Sequence, residues 1–463
     1  MTTHPEPAGL HELTRHVQGE VLTPSDAGYA RWRTGFQLLH EHRPDVIVVA
    51  EIPADVQAAV RFAVAHGLDL TARGTGHGTP DGPTTGVLVI TAGLDEVTID
   101  HERATVRIGA GVRWARVLRE AAVHGLTALP GTTPEVNAVA YTLGGGVSVL
   151  GRTFGYAADY VNSLQVVTAD GELREVDEDT DPDLFWALCG GGGAYAIVTA
   201  MEIELVRLEA VYGGGLVIDA EHVPTMLRAW RDWTTTVPDT VTSAFTVVPF
   251  PDVEALPPFL RGRHVAVVWV AVVGSEEDGI RLVQPLRDAA PALADTVQLR
   301  TTDALGEITN DPTDPAAFTS SATTFDVVTD DALEVLLSQA GPGAPETAIV
   351  ELRHLGGALS RPQRSPNAVG QRQAGYSLGL LQVLRGGASA ADARARQRAI
   401  LEALAPWTTD GAVLNLMGDA AATAEGMRRA FDSATHRRLG QVKAVYDPGN
   451  LFSRGTPFTV RGQ

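Results

Sequence analysis

The spacing of apolar and polar positions changes along the chain, and each change marks an element. Val46-Ile47-Val48-Val49-Ala50 is an unbroken apolar run, which predicts a buried strand. Pro53 and Asp55 open a helix whose apolar positions Val56, Ala59, Val60, Ala63 and Val64 recur at helical spacing until Gly67 stops it. Strands are predicted at 68–72 and 87–90, a hairpin at 97–100 and 104–108, and a helix at 112–124 closed by Gly125. The segments 164–168 and 173–176 flank Asp170-Gly171, a hairpin turn signal. A short helix at 183–188 and a strand at 197–206 follow, while residues 1–43 read as mostly helical and polar. Beyond 207 the pattern predicts strands at 245–248, 265–273, 347–352, 376–383 and 413–416. Helices are predicted there at 275–289, 330–340, from an N-cap at Ser389 to 404, and at 426–445.

Three glycine runs punctuate the first half: Arg73-Gly74-Thr75-Gly76-His77-Gly78, Gly144-Gly145-Gly146 and Gly190-Gly191-Gly192-Gly193. Glycine runs let backbone N–H groups approach a ligand closely, so three beside extended segments favour a phosphate-bearing cofactor. The first run ends a strand and does not open a helix as GxGxxG does, so a Rossmann dinucleotide site is not supported. His77 is the one side chain of that loop with chemistry of its own.

A length of 463 residues predicts two or more domains, and a net charge of −20 argues against nucleic acid and against an anionic membrane surface. No apolar run is long enough to span a membrane, and no signal peptide pattern opens the chain, so a cytoplasmic location is expected. The single cysteine, Cys189, excludes an internal disulfide, and no spacing of Cys and His suggests a metal site.

The motif order is Arg-x-x-Gly-His, Leu-Gly-Gly-Gly, Phe-Trp-Ala-Leu-x-Gly-Gly-Gly-Gly, then Val-Lys-x-x-Tyr-Asp-Pro-x-Asn-Leu-Phe in the tail. It resembles the berberine-bridge-enzyme-like FAD-linked oxidases, which carry the vanillyl-alcohol-oxidase (PCMH) type of FAD domain. The resemblance implies an α+β fold. A two-part FAD-binding domain would comprise 1–206 and 425–463, with an inserted substrate domain at 207–424 whose mainly antiparallel sheet is covered by helices. It implies FAD covalently bound through His77 alone, because Thr133 stands where many relatives have a second, cysteine link. It also implies cofactor contacts at Arg73, Gly74, Thr75, Gly76, Gly78, Thr133, Val136, Asp159 and Asn450. Gly144, Gly145, Gly146 and Gly193 would hold the pyrophosphate through their amides, beside Ile197 and Val198.

The resemblance further implies oxidation of a small or medium natural-product intermediate with molecular oxygen as acceptor. Yet Val413 fills the position of a base tyrosine found in relatives, and 372–378 lacks the glutamate that some plant relatives carry. The replacement candidates are Tyr141 and Glu351 for catalysis, with Tyr376, His354 and Asn415 as substrate contacts. Alternation places Glu351 and Arg353 on one face of their strand and His354 on the other. Two alternatives stay open: an atypical enzyme using an oxygenated flavin, and a low-turnover flavin-bearing binding protein. The oligomeric state is not fixed by the sequence.

Overall fold

The computed structural model describes residues 9–39, 41–78, 86–344, 348–361, 364–418 and 423–452. The first apolar runs form a mixed four-stranded sheet in the order Glu20–Leu22, Val46–Val49, Val87–Ile90, Leu70–Arg73, the last three parallel. Val46, Ile47, Val48, Val87, Leu88 and Val89 are fully buried, which explains their lack of polar alternation. The helix Pro53–His66 links two of these strands and ends at Gly67, whose φ of 63° is the left-handed cap glycine permits. A second, antiparallel sheet runs Val97–Asp100, Thr105–Gly109, Ile197–Glu204, Val161–Val167, Leu173–Val176.

The large antiparallel sheet has the order Ala292–Asp295, Ala210–Ile218, His264–Val272, Val241–Pro249, Ile349–His354, Tyr376–Val383, Phe318–Phe325. Gln298–Thr301 also pairs with Ala210–Ile218. The helices Val223–Thr234, Glu276–Ala289, Asp330–Ala340 and Ala390–Leu404 cover one face, enclosing a core that includes Trp230, Phe245, Val268, Leu352 and Leu378. Residues of the opposite face, Ala244, Trp269, Ala271 and Ala322, join the core of the N-terminal sheets instead. The fold is α+β, as expected.

The chain returns to its beginning at the end. The helix Ser433–Tyr446 lies against Pro182–Gly191, where buried Lys443 donates to the Ala194 carbonyl at 2.8 Å and pairs with Asp447. Leu70 N–H donates to the Leu451 carbonyl at 3.1 Å. No helix among the described residues is long and apolar enough to cross a membrane.

Several elements depart from the sequence pattern. Residues 413–416 are not a strand, because Leu414–Leu416 forms a 3-10 turn. The predicted 426–445 helix is two, Ala424–Ala430 and Ser433–Tyr446, broken where Asp432 caps the second. Ala210–Ile218 was not anticipated as a strand, since its three central glycines obscure the alternation.

Candidate active site

The strand Leu70–Arg73 delivers the first glycine loop at its C-terminal end. Gly74 has no room for a side chain, since a Cβ there would meet Asn137 Cγ at 2.6 Å. Asn137 N–H donates to Thr75 Oγ1 at 3.2 Å, and the same oxygen lies 2.9 Å from His77 Nδ1. The His77 ring stacks on Phe36 with centroids 3.9 Å apart and planes 11° from parallel. Its Nε2 is buried and has no hydrogen-bond partner among the described residues. Burial, reinforced by Arg113 and opposed by Glu135, pushes the His77 pKa down to about 4, so the ring is neutral at pH 7. The tautomer that places Nδ1–H on Thr75 leaves the Nε2 lone pair available.

Arg73, expected to touch the cofactor, does something else. Its guanidinium donates to the carbonyls of Trp32, Arg33 (2.9 Å) and Thr34 (3.1 Å). It thereby fixes the turn that carries Phe36, whose N–H in turn donates to the Thr75 carbonyl at 3.0 Å. Burial lowers the Arg73 pKa to about 10, which leaves it charged.

Asn137 also caps the helix Ala138–Leu143 by accepting the Ala140 N–H at 2.8 Å. That helix carries Tyr141 and runs into the triple glycine. The amides there are not free for a pyrophosphate, contrary to expectation. Gly144 N–H donates to the Tyr141 carbonyl at 3.2 Å and Gly145 N–H to Thr142 at 2.9 Å. Gly146 N–H donates to Asn415 Oδ1 at 2.6 Å. Glycine is required at 146 by its φ of 78° and because a Cβ would sit 2.7 Å from the Tyr141 ring. The open positions are Gly78 and Gly193, where a Cβ would meet nothing within 4 Å. Ile197 and Val198 are buried strand residues paired with Val167 and Val166.

Four other expected contacts are structural. Asp159 is buried, pairs with Arg372 at 2.5 Å, and accepts from Asn367 Nδ2 at 2.8 Å and Tyr156 N–H at 3.0 Å. The Thr133 hydroxyl donates to Asp311 at 2.8 Å. Val136 ties two loops, its carbonyl accepting the Trp114 N–H at 3.1 Å. Asn450 has a φ of 53° and closes the turn begun at Asp447, a conformation asparagine tolerates. Cys189 is buried and its thiol pKa is pushed up by burial, so it is an inert apolar group.

Over this loop system lies the face of the large sheet that the helices do not cover. Register brings Trp269, Ala244, Arg353, Ser377 and Thr324 into one transverse row on that face. Val267, Thr246, Glu351, Gly379 and Ala322 form the next same-face row. Glu351 Oε1 accepts from Arg353 Nε at 3.0 Å and Nη2 at 2.7 Å. Arg353 also lies 5.4 Å from the Trp269 ring centroid. Its charge reaches Tyr141, whose hydroxyl is buried without a partner among the described residues and whose pKa is raised by that burial, with Arg353 opposing. A Cβ at Gly379 would meet only the Glu351 carbonyl, at 4.0 Å, so space opens beside Glu351.

Tyr141 and Glu351 are thus brought toward one region, but the three expected substrate contacts are not. Tyr376 is on the helix-covered face, its hydroxyl 2.6 Å from Thr234 Oγ1 and its ring 6.1 Å from Trp230. His354, its cross-strand neighbour, stacks on it at 5.4 Å. Asn415 uses both ends of its amide on the protein, since Nδ2 donates to the Tyr141 carbonyl at 3.0 Å while Oδ1 holds Gly146. Alternation placed Arg353 on the face of Glu351 without giving it a role, and Trp269 and Phe36 were missed because nothing local marks them.

Comparison with known proteins agrees with this geometry. Residues 44–177 match the family described as FAD binding domain. (R)-6-hydroxynicotine oxidase of Paenarthrobacter nicotinovorans is 33% identical over 210 residues, 45% of this chain and 46% of that protein. The match thus spans about half the length of that curated relative. Among solved structures, the BBE-like 1 protein of Physcomitrella patens superposes with a TM-score of 0.85 at 20% identity, covering 98% of this chain and 100% of the other. Glucooligosaccharide oxidase of Acremonium strictum, described with a 6-S-cysteinyl, 8α-N1-histidyl FAD, gives 0.82 at 20% identity, covering 97% and 99%. Residues 44–177, which contain the His77 loop, therefore belong to the FAD binding domain family, and the chain as a whole has the fold of the FAD-linked oxidases with the vanillyl-alcohol-oxidase (PCMH) type of FAD domain.

Proposed function

We propose that the protein is an oxidase that takes two electrons from a small or medium natural-product intermediate and passes them to molecular oxygen, with FAD bound covalently through His77 alone. We assign 1–206 and 425–463 to the FAD-binding domain and 207–424 to the substrate domain. The packing of Ser433–Tyr446 on Pro182–Gly191 supports joining the first two segments. The observation that carries the reading is His77 Nε2, a buried nitrogen on a neutral ring with no partner among the described residues. A buried polar atom without a hydrogen bond is costly, about 1–3 kcal/mol, and a bond to the flavin removes that cost. Open space at Gly78 and Gly193 fits a cofactor running past the loop. The engagement of Thr133 by Asp311 supports a single link.

FAD in this site supplies the two-electron acceptor. The chain's own residues do the rest. Thr75 and Phe36 fix the plane and tautomer of His77. Asn415 locks the Tyr141 helix to the glycine loop, so the Tyr141 ring is held between Gly131 and Gly146. The Glu351 carboxylate, oriented by Arg353, is the group placed to accept a proton from a substrate lying in the gap at Gly379. Tyr141 supplies a hydroxyl to the same substrate.

The test has two arms. Acid-precipitated wild-type protein should keep its yellow colour while His77→Ala protein loses it, and colour released from the wild type overturns the covalent assignment. Under anaerobic conditions, aromatic and polyketide-like compounds should bleach the flavin, with peroxide released when air is admitted. Tight binding without bleaching or oxygen uptake overturns the oxidase reading.

A further inference from the structure

Residues 34–38 form a strap between the His77 loop and the start of the edge strand Phe318–Phe325. On one side, Phe36 N–H and Gln37 N–H donate to the Thr75 and Gly76 carbonyls, each at 3.0 Å. On the other, Ala316 N–H donates to the Phe36 carbonyl at 3.0 Å and Leu38 N–H to the Ala316 carbonyl at 2.9 Å. The strap lies so close to the loop that a Cβ at Gly35 would sit 3.2 Å from Gly76 Cα. Gln37 fastens it. The Gln37 side chain is buried, with Nε2 donating to the Phe318 carbonyl at 3.0 Å. Its Oε1 accepts the Phe318 N–H at 3.2 Å and the Leu39 N–H at 3.0 Å. One amide thus engages both backbone groups of a residue 281 positions away. Phe36 passes this restraint on, since its ring stacks on His77 and meets Phe318 edge-on with centroids 6.5 Å apart. The plane of the imidazole is therefore held from the large sheet as well as from its own loop.

We propose that Gln37 is a positioning residue for covalent attachment of the flavin. By fastening the strap to Phe318 it holds Phe36 against His77, so the free ring nitrogen is aimed only once the sheet is docked on the loop. This rests on the covalent assignment of His77 made above. In the attachment, the His77 nitrogen lone pair joins the flavin 8α-methyl carbon as one C–H bond there breaks. The proton and electron pair of that bond pass to the flavin ring, and molecular oxygen removes them, with the imidazole Nδ1 proton, as hydrogen peroxide. Such a bond forms only from an aligned approach, and a misplacement of about 1 Å slows it by about a hundredfold.

The test follows attachment in the full chain and needs no substrate. Riboflavin is restored to a riboflavin-starved expression host, and the flavin fluorescence of the denatured chain on a gel gives the rate. Gln37→Leu keeps the bulk, deletes the side-chain hydrogen bonds, and should attach flavin about tenfold to a hundredfold more slowly than wild type. Phe36→Leu should be slowed as well, while Phe36→Tyr, which keeps the ring, should match the wild type. Adding Gln37→Leu to Phe36→Leu should slow attachment little further, because both act through one ring. Val268→Ala, in the core on the helix-covered face, lowers the melting temperature away from the strap and should attach flavin at the wild-type rate. An unchanged rate in Gln37→Leu, equal slowing by Val268→Ala, or additive effects of the strap variants overturns the assignment. Should Gln37→Leu fail to fold, the Phe36 pair decides, and Phe36→Leu at the wild-type rate overturns it. A wild type that never gains fluorescence overturns the covalent reading itself, whereas a fluorescent wild type beside equally fluorescent strap variants overturns only the role of Gln37.

Discussion

Asn415 holds Gly146 across 269 positions of sequence, its Oδ1 accepting the glycine N–H at 2.6 Å. Its other amide atom holds the carbonyl of Tyr141 at 3.0 Å, so one side chain closes the ring formed by the helix end and the glycine loop. Asn415→Ala leaves the Gly146 N–H without its acceptor, while the Tyr141 carbonyl keeps the Gly144 N–H, and should cost about 1–3 kcal/mol if that N–H stays buried. Thermal unfolding measures the loss. Asn415→Asp should be no better, because it keeps the acceptor for Gly146 but turns a second oxygen toward the Tyr141 carbonyl.

Asp159 and Arg372 make a second long-range link, 2.5 Å apart, with side chains 5% and 11% exposed. Arg372 also lies 4.8 Å from the Tyr156 ring centroid and donates to Asn367 at 2.9 Å. Removing one member strands the other's charge in the interior. Asp159→Ala should therefore destabilise the protein by about 3–5 kcal/mol, far more than removal of an exposed pair such as Arg61–Glu172. Denaturant unfolding of the two variants side by side gives the comparison, and similar losses would contradict the structural role given to Asp159.

These two links explain where reading the chain by itself succeeded. Strand alternation placed Glu351 and Arg353 on one face and His354 on the other, because the period of a strand is local information. The pairing of Tyr376 with His354 depends on register between strands, so nothing near Tyr376 showed that it faces the helices. Glycine runs were legible as special backbone but not as to the reason. At Gly146 the need is for close packing against Tyr141 and Ala157, whereas at Gly78 and Gly193 no described residue would crowd a Cβ. Asp159 and Asn450 matched motif positions, yet motif position does not distinguish a cofactor contact from a buried ion pair or a left-handed turn.

His354 gives the protein a pH dependence. It is 7% exposed, its Nδ1 has no partner among the described residues, and burial together with Arg152 lowers its pKa to about 3. An unfolded histidine titrates near 6.5. Between about pH 6.5 and 3 the unfolded chain therefore binds a proton that the folded chain refuses. Stability is full above that window and falls as pH drops through it, by about 1.4 kcal/mol per pH unit for this group. His354→Phe keeps a ring against Tyr376 and removes the titration. Its melting temperature should fall less steeply on acidification than that of the wild type, and parallel profiles would contradict the assignment.

Gly379 tests where substrate lies. It sits in register with Glu351, on the same face, and a Cβ there would meet only a carbonyl at 4.0 Å. Gly379→Val adds apolar bulk to open space on a strand, so its stability should be close to that of the wild type. Occupancy of the gap should raise KM or abolish turnover for every substrate that bleaches the wild-type flavin. Unchanged kinetics would move the substrate site elsewhere on the sheet.

Tyr141 allows structure and catalysis to be separated. Its ring meets Trp114 edge-on with centroids 5.8 Å apart, while its hydroxyl is buried and unpartnered. Tyr141→Phe keeps the ring contacts and deletes an unsatisfied group, so the protein should melt at the same temperature or slightly above. If the hydroxyl serves substrate, turnover should nevertheless fall, by about tenfold or more for one hydrogen bond made in the reaction. Its effect on kcat should exceed that on KM, because a hydroxyl that acts only as the reaction proceeds contributes little to ground-state binding. A variant that loses stability while keeping its activity would make Tyr141 a packing residue and leave Glu351 as the remaining candidate base.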